Sequence, residues 1–176
     1  MIVLETERLV LRHLNLNDAP FIVDLLNEPS FLRYIGDRGV RTDQDARRYL
    51  TEGPLASYER HGLGLYLAFV RETGEPIGMC GLLKRETLRD VDIGFAYRPA
   101  YWGRGYAREA ASATLAHGRT ALGLSRIVAI TSPDNEGSRR VLEAIGLRFE
   151  GLIRLGDDPR EVRLFGVNFA EAGDQG

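Results

Sequence analysis

The chain has 176 residues, 44% hydrophobic and 27% charged, with a formal net charge of −2. That balance fits one globular domain with its own core and excludes a basic surface for non-specific nucleic-acid binding. A single cysteine, Cys80, excludes an intrachain disulfide, and three scattered histidines beside it leave no zinc constellation, so no metal is expected.

The opening MIVLETERLVLR carries charges every few residues and lacks an apolar core of signal-peptide length. No stretch approaches the roughly 18 apolar residues of a membrane span, so a cytoplasmic location with no membrane partner is expected. Alternation of Leu4, Thr6, Leu9 and Leu11 predicts a strand over 3–12. Phe21, Ile22, Leu25 and Leu26 follow at helical spacing, with Asn17 as the expected N-cap and Pro29 as the stop. Thr42 is placed to cap a second helix with Asp43 and Asp45 in its first turn, and Gly53-Pro54 is expected to break or kink it. Three strands over 63–72, 76–86 and 89–99, separated by short turns, predict an antiparallel meander.

After Trp102-Gly103, the residues Ala107, Ala110, Ala111, Thr114, Leu115 and Gly118 recur at helical spacing until Gly123. A β-rich run at 125–131, a Ser132-Pro133-Asp134 turn, a helix carrying Val141, Leu142 and Ile145, and strands over 147–155 and 161–169 complete the chain. The passage strand–helix–strand through 89–131 predicts one parallel pair inside a mostly antiparallel sheet. The expected fold is α+β, three-layer α/β/α-like, with a mixed six- to seven-stranded sheet. It forms a single domain over 1–170 with a disordered tail at 171–176.

The segment RPAYWGRGYAREAA (98–111) places a glycine-rich turn at the mouth of the alanine-rich helix. Spacing excludes two nucleotide loops. GxGxxG fails because Arg108 stands where the third glycine belongs, Gly62 and Gly64 fail likewise at Leu67, and no glycine run precedes a Lys-Ser/Thr pair. Two readings stand: a strand-to-helix turn without a ligand, or a nest of free amides at the positive end of a helix, with Arg104 and Arg108 nearby, suited to a pyrophosphate.

The run Trp102-Gly103-Arg104-Gly105-Tyr106-Ala107, followed by a helix, a short strand and Asn135-x-x-Ser138, resembles the GNAT family of acyl-CoA-dependent N-acetyltransferases. The family's pyrophosphate motif, Gln/Arg-x-x-Gly-x-Gly/Ala, falls on 102–107 with Trp102 at its first position. In this the chain is similar to the ribosomal-protein N-acetyltransferase (RimJ/RimL-like) branch. Three further runs look like that branch: Thr6-Glu7-Arg8-Leu9-Val10-Leu11-Arg12, Asp92-Ile93-Gly94-Phe95, and Asn135-x-x-Ser138-x-x-Val141-Leu142-Glu143-x-x-Gly146-Leu147. The resemblance spans about 5–170 and rests on four separated motifs in the expected order.

It implies a central parallel strand pair splayed for acetyl-CoA (coenzyme A). The amides of Gly103, Arg104, Gly105, Tyr106 and Ala107 would hold the pyrophosphate, assisted by Trp102 and Arg108, and the strand at Phe95, Ala96 and Tyr97 would pair with the pantetheine arm. Asn135 is implied to contact the cofactor, to cap its helix, or both. Ser138 either donates to the leaving thiolate or bonds its own helix backbone; the Tyr that many members carry one turn later is Leu142 here. Asp92 either takes the amine proton, through water, or is an exposed strand carboxylate.

The implied reaction is direct transfer of acetyl to a primary amine in a ternary complex, an N-terminal α-amine of a protein or peptide before others. The alternatives are a small-molecule amine (polyamine, aminoglycoside or amino acid) and a catalytically silent acyl-CoA-binding module. An α-amino group is about a tenth neutral at pH 7 and a lysine amine only on the order of 0.04%, so an α-amine asks less of a base. The first two helices and the loop 156–160 are expected around the acceptor, where Asp43, Asp45, Asp157 and Asp158 either welcome a cationic amine or are solvated surface acids. Cys80 reads as core, and the branch admits a homodimer.

Overall fold

The computed structural model describes residues 1–169; residues 170–176, which include the expected tail, lie outside the described residues. The elements are β1 (Ile2–Glu5), β2 (Leu9–His13), α1 (Ala19–Leu26), α2 (Pro29–Tyr34), α3 (Asp43–Leu50), α4 (Ala56–His61), β3 (Leu65–Val70), β4 (Pro76–Leu83), β5 (Asp92–Tyr97), α5 (Tyr106–Thr120), β6 (Arg126–Thr131), α6 (Glu136–Ala144), β7 (Arg148–Arg154) and β8 (Glu161–Asn168). They build one sheet in the order β1-β2-β3-β4-β5-β6-β8-β7. Every neighbouring pair is antiparallel except β5 and β6, which run parallel. This is the expected mixed, mostly antiparallel α+β fold.

Strand alternation sorts the core into two layers. Ile93 and Tyr97 of β5 face the side covered by α5 and α6, with Ala110, Ala111, Leu115 and Leu142. Leu67 and Met79 face the other side, against Ile22, Leu25, Ala46 and Leu50 of α1 and α3, where Ala96 also packs. Gly118 lets α5 lie close on the sheet: a Cβ there would meet Ile127 Cδ1 at 2.7 Å and Leu82 Cδ1 at 3.0 Å.

Four local expectations change. The sheet has eight strands because the run 3–12 folds back on itself. Thr6 N donates to the Leu9 carbonyl at 2.9 Å, and Leu9 N donates to Thr6 Oγ1 at 3.0 Å, which closes a tight turn inside the run. Asn15, not Asn17, caps the first helical segment; it accepts from Asn17 N at 2.9 Å, and Asp18 completes a capping box before α1. Pro29 does not merely stop a helix, since it occupies the first turn of α2, where its missing N–H costs nothing. Gly53-Pro54 neither breaks nor sharply ends its helix. A π turn over Thr51–Leu55 absorbs Pro54 between α3 and α4. The Thr42 cap forms as expected, with a reciprocal bond between Thr42 and Asp45.

Candidate active site

β5 and β6 pair at a single register, Asp92 opposite Val128, where Val128 N donates to the Val91 carbonyl at 3.0 Å. Beyond it the strands part. β6 stays fully laddered to β8 as far as Thr131, opposite Arg163, and so cannot follow β5. A cleft of about 1240 Å³ opens between them. Because backbone groups alternate along a strand, the residues in phase with Val91 (Ile93, Phe95 and Tyr97) turn their N–H and C=O toward β6. The Tyr97 carbonyl accepts from Trp102 Nε1 at 3.0 Å, so the indole closes one end of that row. Phe95 N–H is left facing the cleft.

Beyond Tyr97, where the strands have parted, the chain turns into α5 through Gly103 (φ +74°) and Gly105 (φ +81°), both left-handed. Gly105 is the N-cap and carries no side-chain cap, so the first amides of α5 have no side-chain partner. Successive amides in such a turn form an anion-binding concavity.

The cleft wall brings together Asp92, Phe95, Ala96, Tyr97, Trp102, Gly103, Ala107, Asn135 and Ser138. Arg104, Gly105, Tyr106 and Arg108 lie on the turn and first helical turn but outside the wall. The Tyr106 ring sits under the Arg8 guanidinium at 4.4 Å, and Arg104 stacks on Tyr101 at 5.5 Å. Asn135 caps α6 by accepting from Ser138 N at 3.1 Å. Ser138 is half-buried, and among the described residues its hydroxyl takes no partner, so the helix-backbone bond is not made.

Asp92 is 1% exposed and is not the exposed strand carboxylate of the alternative reading. Burial pushes its carboxyl above the ordinary carboxylate range, and Arg85 Nε, at 3.1 and 3.2 Å from the two oxygens, pulls it back. Thr131, 7% exposed, lines the same cleft with its hydroxyl buried and unpartnered. Such a group normally finds an acceptor.

Sequence reasoning noted Thr6-Glu7-Arg8 but gave it no role. The structure supplies one: Thr6 Oγ1 and Arg8 Nε donate to Glu109 of α5 at 2.5 and 2.8 Å, and Arg8 Nη1 donates to the Arg104 carbonyl at 2.9 Å. This clamp ties the β1–β2 turn to the glycine turn. Burial works to raise the Glu109 carboxyl, and the bonds from Thr6 and Arg8 outweigh it and leave it lowered. Partners about a hundred residues apart give no local signal.

The expected acceptor acids are redistributed. Asp43 pairs with Arg47 at 2.8 Å and the Asp45 carboxylate accepts from Arg41 N and Thr42 N at 3.0 and 3.1 Å, neither on the cleft wall. Asp157 is exposed and likewise outside the wall, and Asp158, which does line the cleft, pairs with Arg160 at 2.7 Å. Of the first two expected helices, α1 lines the cleft with Leu25 and α3 with Tyr49, as do α2, not expected as a helix, and the loop 156–160. Cys80 is fully buried, with its thiol pushed up to about 11 by burial, which suits a core residue and not a nucleophile. Among the described residues no group of three metal-ligating side chains forms, and no helix is long and apolar enough to cross a membrane.

A mixed sheet parted between two parallel strands, with an uncapped glycine-led helix at the parting, is the architecture of an acetyltransferase. The chain belongs to the acetyltransferase (GNAT) domain family, whose match covers residues 8–148. It is 33% identical over 153 residues to YoaA of Bacillus subtilis, described as an uncharacterized N-acetyltransferase, covering 86% of each chain. The acetyltransferase of Agrobacterium tumefaciens str. C58 superposes with a TM-score of 0.80 at 29% identity, covering 94% of this chain and 93% of that one. RimL, a ribosomal L7/L12 alpha-N-protein acetyltransferase in complex with coenzyme A, shares the fold, with a TM-score of 0.81 at 19% identity over 96% of this chain and 98% of its own.

Proposed function

We propose that the protein transfers acetyl from acetyl-CoA to an N-terminal α-amine of a protein or peptide, by direct attack in a ternary complex. The observation that carries this reading is the single-register pairing of β5 and β6, which leaves Phe95 N–H facing a cleft that Asp92 of the same strand also lines. The residues present fit the cofactor. The left-handed Gly103 and Gly105 offer amides to a pyrophosphate, and the orphaned Thr131 hydroxyl offers a polar partner along the cleft.

When bound, acetyl-CoA supplies a thioester acyl group. Amides 103–107 hold its phosphates, with Arg104 and Arg108 adding positive charge, and the strand edge at Phe95–Tyr97 aligns the arm. Phe95 N–H donates to the carbonyl oxygen as negative charge grows there. Ser138 Oγ, without another partner among the described residues, donates to the departing sulfur, and Asn135 holds the turn that presents it. Asp92 accepts the amine proton through water. A buried aspartate tied to Arg85 is a modest base, which matches an α-amine better than a lysine. The RimL-type name adds support for a protein α-amine, as do Trp102 and the other branch-like runs.

Free-thiol release over an amine panel tests the reading. Peptide N-termini are expected to give the highest kcat/KM; a polyamine or aminoglycoside ahead of every peptide overturns it. The Asp92 role has its own signature. Wild-type kcat/KM falls as pH drops through the raised Asp92 pKa, because only the ionised form accepts a proton. Asp92→Asn lacks that limb, so the wild-type-to-variant ratio, about ten- to a hundredfold at high pH, shrinks toward one at low pH. Parallel pH profiles leave the proton to water alone.

A further inference from the structure

We infer that the acceptor carries a carboxylate close to its amine, bound by arginines that line the cleft. The inference rests on the reading above, in which the amine enters beside Asp92.

Asp92 shares the face of β5 occupied by Ala96, which packs with α1 and α3, and this fixes the side from which an amine reaches it. The cleft is lined by residues of α2, the connection before α3, the β4–β5 connection and the β7–β8 loop. Five arginines line the cleft against three carboxylates, Asp92, Asp158 and Glu161. Two of these acids are already committed, Asp92 to Arg85 at 3.1 Å and Asp158 to Arg160 at 2.7 Å. Glu161 stands opposite Arg154 in the β7–β8 ladder without forming an ion pair. Arg33 leans on exposed Asp134 at 3.4 Å. Among the described residues Arg38 and Arg154 have no ion-pair partner, and both are exposed.

Arg38, Tyr49 and Arg85 line the same cleft, and burial raises the Tyr49 hydroxyl pKa while the charges of the two guanidiniums oppose the rise. A guanidinium offers paired donors that match a carboxylate, and an unpaired cation in a partly walled cleft attracts an anion more strongly than one on open surface. A dication such as a polyamine meets the opposite field. The carboxylate has two sources, an acidic side chain next to a peptide's N-terminal residue or the free carboxylate of an amino acid.

The test uses matched acceptors with the full chain. The peptide amides Ala-Glu-Glu-Ala, Ala-Gln-Gln-Ala and Ala-Lys-Lys-Ala are compared, together with serine against serinamide. Binding to the coenzyme A-saturated protein is measured by calorimetry, and turnover by thiol release. The carboxylate member of a pair is expected to lead by about tenfold or more at low salt, with the ratio falling as salt rises. In the Arg38→Gln/Arg154→Gln double variant the ratio falls toward one. If serine leads serinamide while no peptide is bound or turned over, the peptide reading fails and this inference stands. If peptides are turned over with Glu and Gln members equal, this inference fails and the peptide reading stands. A lead for the lysine peptide, or binding of no member of either set, also overturns it.

Discussion

Replacing Gly105 with glutamate is expected to abolish acetyl-CoA binding, with affinity lost by about a hundredfold or more. Three effects add. Gly105 has φ +81°, a region that costs a residue with a Cβ roughly 1–2 kcal/mol. A Cβ there would stand 3.3 Å from Arg8 Nη2, inside the clamp that fixes the turn. The carboxylate then sits at the uncapped start of α5, where it competes with a pyrophosphate for the same amides and repels it. Gly105→Ala separates the contributions: it keeps the strain and the contact but adds no charge, so a loss of only several-fold is expected. Calorimetric titration with acetyl-CoA, alongside melting temperatures of the free variants, distinguishes lost binding from lost folding. A glutamate variant that folds and binds within a few-fold of wild type removes the phosphates from this turn.

Replacing Ser138 with alanine is expected to lower kcat by about ten- to a hundredfold while acetyl-CoA affinity changes by no more than about twofold. The asymmetry follows from the hydroxyl's position. It lines the cleft from the first turn of α6 and has no partner among the described residues, so its removal breaks no bond seen among them. The next turn of the helix presents Leu142, buried and without a proton to give. The cap that orients the turn uses Ser138 N and survives the substitution. Single-turnover thiol release and cofactor titration on the same preparation give the two numbers. An unchanged kcat reduces Ser138 to a helix residue; a parallel loss of affinity makes it a binding group.

Much of the fold was legible because its signals are local. The spacing of Ala110, Ala111, Thr114 and Leu115 marks the buried face of α5, and the reciprocal Thr42–Asp45 cap needs only a spacing of three. The parting of β5 and β6 was legible only through family resemblance. It arises from the continuous β6–β8 ladder, and no single residue announces that. The split of 3–12 into two strands depends on a turn closed by Thr6, which in isolation reads as one more alternating position.

At the site, the glycine turn, Asp92, Asn135 and Ser138 could be named because motif spacing carries them. The Arg8–Glu109 clamp could not be named, since its partners lie far apart in sequence. The pairing of the candidate acceptor acids was hidden for a related reason. A chain lists charges but not their pairings, and Asp43, Asp45 and Asp158 are each used by a neighbour. Once those pairs form, the excess at the cleft belongs to arginine.

The most direct test of the account is a crystal structure of the protein with acetyl-CoA. The phosphates are expected on the amides of 103–107, with the arm laid along β5. Phe95 N–H should then be hydrogen-bonded to the cofactor, and the acyl end should lie between Ser138 and Asp92. Phosphates held away from that turn, or an arm that leaves the β5–β6 cleft empty, would contradict it.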